Sequence, residues 1–165
     1  MTELEEIKDI LWLYTTYENH PTQAEEAFAN LKDFGDQVID GLIWGLQQGD
    51  INLKLLVLEL LQYYYTDAKR ALPAVRALIS DYELRLVRVT AINTAGILGD
   101  TSDELIPLLE PRLDSEDAFE RIFSAGNLWR ICRSEDAYVV LRREAAAGDD
   151  EPFAIMARSY LKDVD

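Results

Sequence analysis

Residues 81–100 run Asp81-Tyr82-Glu83-Leu84-Arg85-Leu86-Val87-Arg88-Val89-Thr90-Ala91-Ile92-Asn93-Thr94-Ala95-Gly96-Ile97-Leu98-Gly99-Asp100. The apolar residues keep a helical period, and the segment closes on Leu98-Gly99-Asp100. The same ending, Phe34-Gly35-Asp36, stands two periods earlier. On either side, Ala71-Leu72-Pro73-Ala74-Val75-Arg76 parallels Leu105-Ile106-Pro107-Leu108-Leu109-Glu110, with the prolines 34 apart. Acids at the turn inside each helix pair fall at Asp50, Asp81, Asp114 and Asp149, spaced 31, 33 and 35. Acids closing the second helix fall at Asp36, Asp67, Asp100 and Asp136, spaced 31, 33 and 36. Two independent markers keep one period, so the chain reads as an array of helix pairs. The units lie near 1–36, 37–67, 68–100, 101–136 and 137–165, in a single domain spanning 1–165.

The rest of the chain agrees. Asn52 to Tyr65 holds Leu53, Leu55, Leu56, Val57, Leu58, Leu60 and Leu61, which is too long for a strand. A helix apolar nearly all round is buried between neighbours. Thr2…Glu5 and Thr22…Glu25 each fit a capping box, a hydroxyl acceptor three residues before an acid. Asp36, Asp50, Asp67, Ser115 and Ser134 mark further helix starts. Helices are expected near 3–18, 23–34, 37–48, 51–65, 68–80, 82–98, 103–113, 116–133, 135–147 and 151–162. Short connections make consecutive helices antiparallel.

With Val87-Arg88, Ala91, Ala95, Leu98, Gly99 and Asp100, residues 81–100 resemble the second helix of a HEAT repeat. Asp114 and Arg121 repeat the spacing of Asp81 and Arg88, which extends the resemblance to 105–136. It weakens over 37–67, where no arginine follows Asp50 at that spacing, and 137–165 is a truncated unit. An armadillo or other helix-pair solenoid would satisfy much of the same pattern. The resemblance implies an all-α fold, a right-handed α-α superhelix of about ten antiparallel helices with the second helices on the concave side. It also implies that Asp81 with Arg88, and Asp114 with Arg121, form an inter-repeat ladder. Stability in such an array is roughly a sum of neighbour terms.

The charge balance bounds the partners. The 165 residues carry 31 acids against 16 Lys and Arg, a net charge of −15. Phosphate backbones are bound through cations, so a nucleic-acid partner is not expected. The same field opposes an anionic membrane surface. No run of apolar residues is long enough to span a bilayer, and the acidic Met1-Thr2-Glu3-Leu4-Glu5-Glu6 start has the wrong sign for a targeting peptide. One cysteine, Cys132, excludes an intramolecular disulfide and fits a reducing, cytoplasmic location. Residues 1–36 carry 9 acids and 2 bases, residues 37–100 carry 7 and 6, and residues 101–165 carry 15 and 8. The acidity therefore sits at the two ends.

Catalytic chemistry finds no constellation. The one histidine, His20, lies in the first turn, more than a hundred residues before Cys132, so neither activates the other. Cys132 is expected buried and inert. No zinc-ligand spacing, phosphate-binding loop, dinucleotide fingerprint or hydrolase motif occurs, so no cofactor, metal or enzyme activity is expected. Trp12, Trp44 and Trp129 are expected in the core. Tyr63-Tyr64-Tyr65 sweep about 200° around their helix, so at least one ring points away from the core. Asn93 and Asn127 correspond when Ala91 is matched to Ala125. With Glu59, Gln62, Tyr63, Tyr64 and Arg130 they make the candidate partner-binding strip.

These observations favour a non-catalytic adaptor that binds a protein partner through the concave surface, and the acidity admits a basic one. One form is an immunity-type inhibitor covering a basic toxin enzyme. Bilin lyases are also HEAT-like, so the resemblance permits a lyase or chaperone subunit. HEAT-like DNA glycosylases need a cationic groove, which this composition does not favour.

Overall fold

The computed structural model describes residues 1–16, 22–64, 66–80, 83–148 and 150–162. Among them are ten α-helices and no strand. They are α1 (Glu3–Thr16), α2 (Gln23–Leu31), α3 (Gln37–Leu46), α4 (Ile51–Tyr64), α5 (Leu72–Ala77), α6 (Arg85–Ile97), α7 (Ile106–Leu109), α8 (Ala118–Cys132), α9 (Glu135–Ala145) and α10 (Pro152–Lys162). They fall into two compact units, Met1–Gly99 and Asp100–Asp165.

In the first unit α1, α3 and α5 pack in one column and α2, α4 and α6 in another, with each helix also against its pair mate. Ile7, Leu11, Leu31, Leu42, Leu53, Val57, Leu60, Leu61, Val87 and Ile92 are buried where the columns meet. Removing such side chains from water is worth about 1.5–3 kcal/mol each. Thr94 is also buried, and it is satisfied: Gln62 Nε2 donates to its Oγ1 at 3.2 Å, and the hydroxyl donates to Leu58 O at 3.3 Å. In the second unit α8 packs on α7, α9 and α10, burying Leu109, Ile122, Leu128, Leu141, Ala154 and Ala157.

Helix starts follow the sequence in part. Thr2 and Glu5 complete a reciprocal capping box, Glu5 N donating to Thr2 Oγ1 at 3.2 Å and Thr2 N to Glu5 Oε2 at 2.7 Å. Those hydrogen bonds hold the Glu5 carboxyl below its usual range. Asp50 Oδ1 takes Leu53 N at 2.8 Å, and Ser134 Oγ takes Ala137 N at 3.3 Å. Thr22 differs: its hydroxyl donates to Glu26 Oε1 at 2.7 Å and caps no amide. Ser115 also differs, because Asp117 is the cap of α8, accepting from Glu120 N at 2.9 Å.

Two expected helices are broken. In place of a helix over 68–80, Asp67–Ala71 is a 3-10 turn leading into the short α5. In place of one over 103–113, 3-10 turns at Asp103–Leu105 and Glu110–Asp114 flank α7. Pro73, Pro107 and Pro111 sit at the starts of the segments that follow each break. A proline has no amide to donate and clashes with the carbonyl four residues back, so a helix restarts at it.

The second-helix endings share a device. Gly35 (φ 57°) and Gly99 (φ 71°) turn left-handed after α2 and α6, which glycine adopts without a Cβ penalty. The peptide that follows is held from a later helix pair: Arg70 Nη2 donates to Asp36 O at 2.7 Å, and Arg130 Nη2 to Asp100 O at 3.0 Å.

Two core expectations are corrected. Trp12 is 39% exposed, edge-on to Trp44 at 6.3 Å, while Trp44 and Trp129 are half-buried. Cys132 is exposed, because it is the last residue of α8, beyond the run Ile122–Leu128 that packing covers.

Candidate partner-binding surface

On α4 the exposed residues Asn52, Glu59 and Tyr63 recur at helical spacing, with buried Leu56 between them in the same stripe. Tyr63 is 42% exposed, and its ring stacks on Phe28 of α2 with centroids 5.1 Å apart and planes 25° apart. Tyr64 meets the same Phe28 edge-on, also at 5.1 Å. One tyrosine of the run thus faces out, and its neighbour anchors the cluster from beneath. Loss of hydration beside its neighbours, then the charges of Glu25 and Glu59, pushes the Tyr63 phenol above its ordinary pKa. Two carboxylates from two helices therefore bias the potential at one exposed ring. The Tyr64 hydroxyl is buried with no partner among the described residues, and burial pushes its pKa up to about 12. Tyr65 and His20 lie outside the described residues.

The remaining candidates behave differently. Gln62 is committed to Thr94 and ties α4 to α6, while Asn93 is half-buried on α6. Asn127 does not lie on a surface strip: it is 2% exposed, its Nδ2 donates to Phe123 O at 2.9 Å, and its Oδ1 accepts from Arg130 Nη2 at 2.8 Å. Its matched position in α6, Asn93, is only half-buried. Glu59, Gln62, Tyr63, Tyr64 and Asn93 belong to the first unit, whereas Asn127 and Arg130 belong to the second and bond each other.

The expected arginine ladder takes another form. Arg121 passes over Asp114 and reaches Glu144 on α9, Nε to Oε1 at 2.9 Å and Nη2 to Oε2 at 3.1 Å, while Nη1 donates to Ser115 O at 2.7 Å. Glu144 is 5% exposed and also takes Arg143 at 3.0 Å. Burial acts to raise its pKa, but the hydrogen bonds and charges of Arg121 and Arg143 outweigh it and leave the carboxyl below the usual range. Asp81 lies outside the described residues, and Arg88 Nη1 donates to Glu83 O at 3.1 Å. Glu83 meanwhile pairs with Lys54 across 2.6 Å. Sequence reasoning missed Glu25, Phe28, Glu83 and Glu144. Only contact across helices selects them: among 31 acids nothing local marks Glu83 or Glu144, and Glu25 stands out only as a capping-box acid.

A cleft of about 510 Å³ between α3 and α5 is lined by Ile43, Leu46, Pro73 and Ala74, with Lys54 and Arg70 at its edge. Both cations are occupied, Lys54 by Glu83 and Arg70 by Asp40 at 3.1 Å. Among the described residues there is no cluster of three or more His, Cys, Asp or Glu that would hold a metal, and no helix long and apolar enough to cross a membrane. Chemically, the first-unit surface offers an electron-rich ring between carboxylates, which suits a cation.

No curated protein matches the chain. The family pattern of HEAT repeats matches residues 39–129, more than half of its length. HEAT repeats are generally scaffolds for protein interaction. The helix-pair architecture, the period and that match agree, and the chain belongs to the HEAT-repeat family.

Proposed function

We propose that the chain is a non-catalytic adaptor that binds a basic segment of another protein on the α2/α4 face of its first unit. The observation that carries this reading is Tyr63, exposed, backed by Phe28 and biased by Glu25 and Glu59. A lysine or arginine seated on that ring gains a cation–π contact and two nearby carboxylates. The net charge of −15 steers such a partner from a distance. An inhibitor that covers a basic enzyme is one form of this adaptor.

The test is affinity capture with wild-type chain and with Tyr63→Ala and Glu25→Gln/Glu59→Gln, followed by titration of whatever is recovered. Loss of a central aromatic anchor is expected to weaken binding by about tenfold or more. The carboxylate pair is expected to act mainly through a salt-dependent on-rate. Recovery of an acidic partner, of none, or of one held equally by all variants would remove the reading.

A further inference from the structure

The second unit holds another aromatic surface, of opposite charge. Trp129 of α8 and Tyr138 of α9 lie with centroids 5.2 Å apart and planes 36° apart. The Arg133 guanidinium sits over the indole, 5.0 Å from its centroid, and the Arg142 guanidinium lies 6.0 Å from the Tyr138 centroid. Neither guanidinium has a carboxylate or carbonyl partner among the described residues. That is unexpected where residues 101–165 carry 15 acids to 8 bases. Other arginines of the unit are occupied: Arg121 and Arg143 on Glu144, Arg130 on Asn127, Arg158 on Ala145 O and Gly148 O. The acids nearest in sequence, Glu135 and Asp136, are exposed in the first turn of α9, where the helix dipole favours them.

The backbone at Arg133 adds an independent observation. It is left-handed, φ 53° and ψ 41°, and is the one non-glycine residue with positive φ among those described. Gly35 and Gly99 fill the equivalent place after α2 and α6. An arginine there accepts a steric cost that glycine avoids, and in return it lays a guanidinium on Trp129. Such strain is retained where something else over-determines the residue.

A guanidinium over a ring face still carries N–H donors that the ring does not use, and its planar fork matches a carboxylate bidentately. Val139, 62% exposed and one turn from Arg142, lies beside Tyr138, which is 38% exposed. We propose that Arg133, Trp129, Tyr138 and Arg142 form a binding surface for a partner segment that presents a carboxylate next to a large apolar side chain. The guanidinium edges take the carboxylate, and Val139 with the Tyr138 ring takes the apolar group. The surrounding acids repel a polyanion and leave room for one compact anionic group. Its residues belong to the second unit, and those of the α2/α4 face to the first.

The experiment is selection of a random-peptide display library on the full-length chain, repeated on Arg133→Gln/Arg142→Gln. Sequences lost on the double variant are expected to carry Asp or Glu beside a large apolar residue, whereas ligands of the α2/α4 face survive on both. A synthetic peptide of that sequence should slow the reaction of the Cys132 thiol with a disulfide reagent, since Cys132 is exposed and adjoins Arg133. The double variant should bind it about tenfold or more weakly, the usual loss when charge-assisted hydrogen bonds are removed. Thermal melting of both proteins checks that these exposed substitutions leave the fold intact. The proposal is overturned if no sequences are lost on the double variant, if those lost lack acids, or if binding leaves Cys132 unprotected. Tighter binding of an oligonucleotide than of the peptide, abolished by the same variant, would equally overturn it.

Discussion

Truncating Arg121 to methionine is the most informative perturbation of the fold, because it separates the partner that the structure assigns from the one that the repeat pattern implies. The guanidinium reaches Glu144 through two bonds, 2.9 and 3.1 Å, in a site where Glu144 is 5% exposed. At an effective dielectric near 20, charges about 3 Å apart attract by about 5 kcal/mol. Desolvation of both groups cancels most of that gain, so the pair itself is worth little beyond an apolar replacement. The cost of breaking it is different. Removing Arg121 strands a buried carboxylate, which costs about 3–5 kcal/mol when no partner remains. Arg143 stays within 3.0 Å of Oε1, so the expected loss falls to about 2–3 kcal/mol. Urea unfolding of Arg121→Met, Glu144→Leu and the double variant measures it. The double variant should recover most of the single loss, giving a coupling of about 2 kcal/mol. Because the folded pKa of Glu144 lies below its unfolded value, its contribution is present above the ordinary carboxylate range and lost as pH falls through the folded pKa. Arg121→Met should show a shallower acid limb. A single-variant cost below about 0.5 kcal/mol, or strict additivity, would refute the reasoning.

Gly126→Ala should destabilise despite a helix-propensity gain of about 1 kcal/mol, because the new Cβ would meet the Tyr160 ring at 2.5 Å. Over-packing of this kind costs about 1–3 kcal/mol, so a net loss of about 1 kcal/mol is expected in denaturant titration, and a gain would mean that α10 shifts freely. Tyr64→Phe removes a buried hydroxyl without a partner and should stabilise by about 1 kcal/mol. The Tyr64 pKa is raised from 10.0 to about 12, so the chain loses stability as pH rises from 10 through about 12, where the buried phenol must ionise; the phenylalanine variant should lack that alkaline limb. Asp50→Ala should cost about 1 kcal/mol by uncapping α4, whereas Asp36→Ala, whose side chain caps nothing, should cost less than about 0.5 kcal/mol.

The helix pairs were legible because their determinants are local. Leucines at helical spacing, the glycine endings and the Thr2–Glu5 box each act within a few residues, and each appears where the pattern placed it. Prolines were legible as residues but not in their effect. The pattern places Pro73 and Pro107 inside first helices, whereas the structure restarts a short helix at each one. Partners were not legible, because the array brings together residues 23 to 36 apart in sequence. The resemblance makes Arg121 a ladder residue paired with Asp114, but its acid comes from the following helix pair. Asn127 matches Asn93 by repeat position, yet it is buried and its amide oxygen accepts from Arg130. A repeat conserves the place of a side chain more faithfully than its use.

The same distinction governs the charge. Counted by segment, the acids gather at the two ends of the chain, but their net sum says little about which of them face a partner. In the acidic C-terminal segment Glu120 and Glu144 are buried, Glu144 against arginines, and Asp117 caps a helix. Those carboxylates hold the fold and are not free to attract a cation. In the nearly neutral middle, Glu59 is exposed, and with Glu25 from the N-terminal segment it bears on Tyr63. Conversely, Arg133 and Arg142 lie against rings and have no carboxylate partner among the described residues, inside the more acidic C-terminal segment. Recognition is therefore set by which charges the helix packing leaves unspent. On that count the two aromatic surfaces, one flanked by carboxylates and one by guanidiniums, select segments of opposite sign.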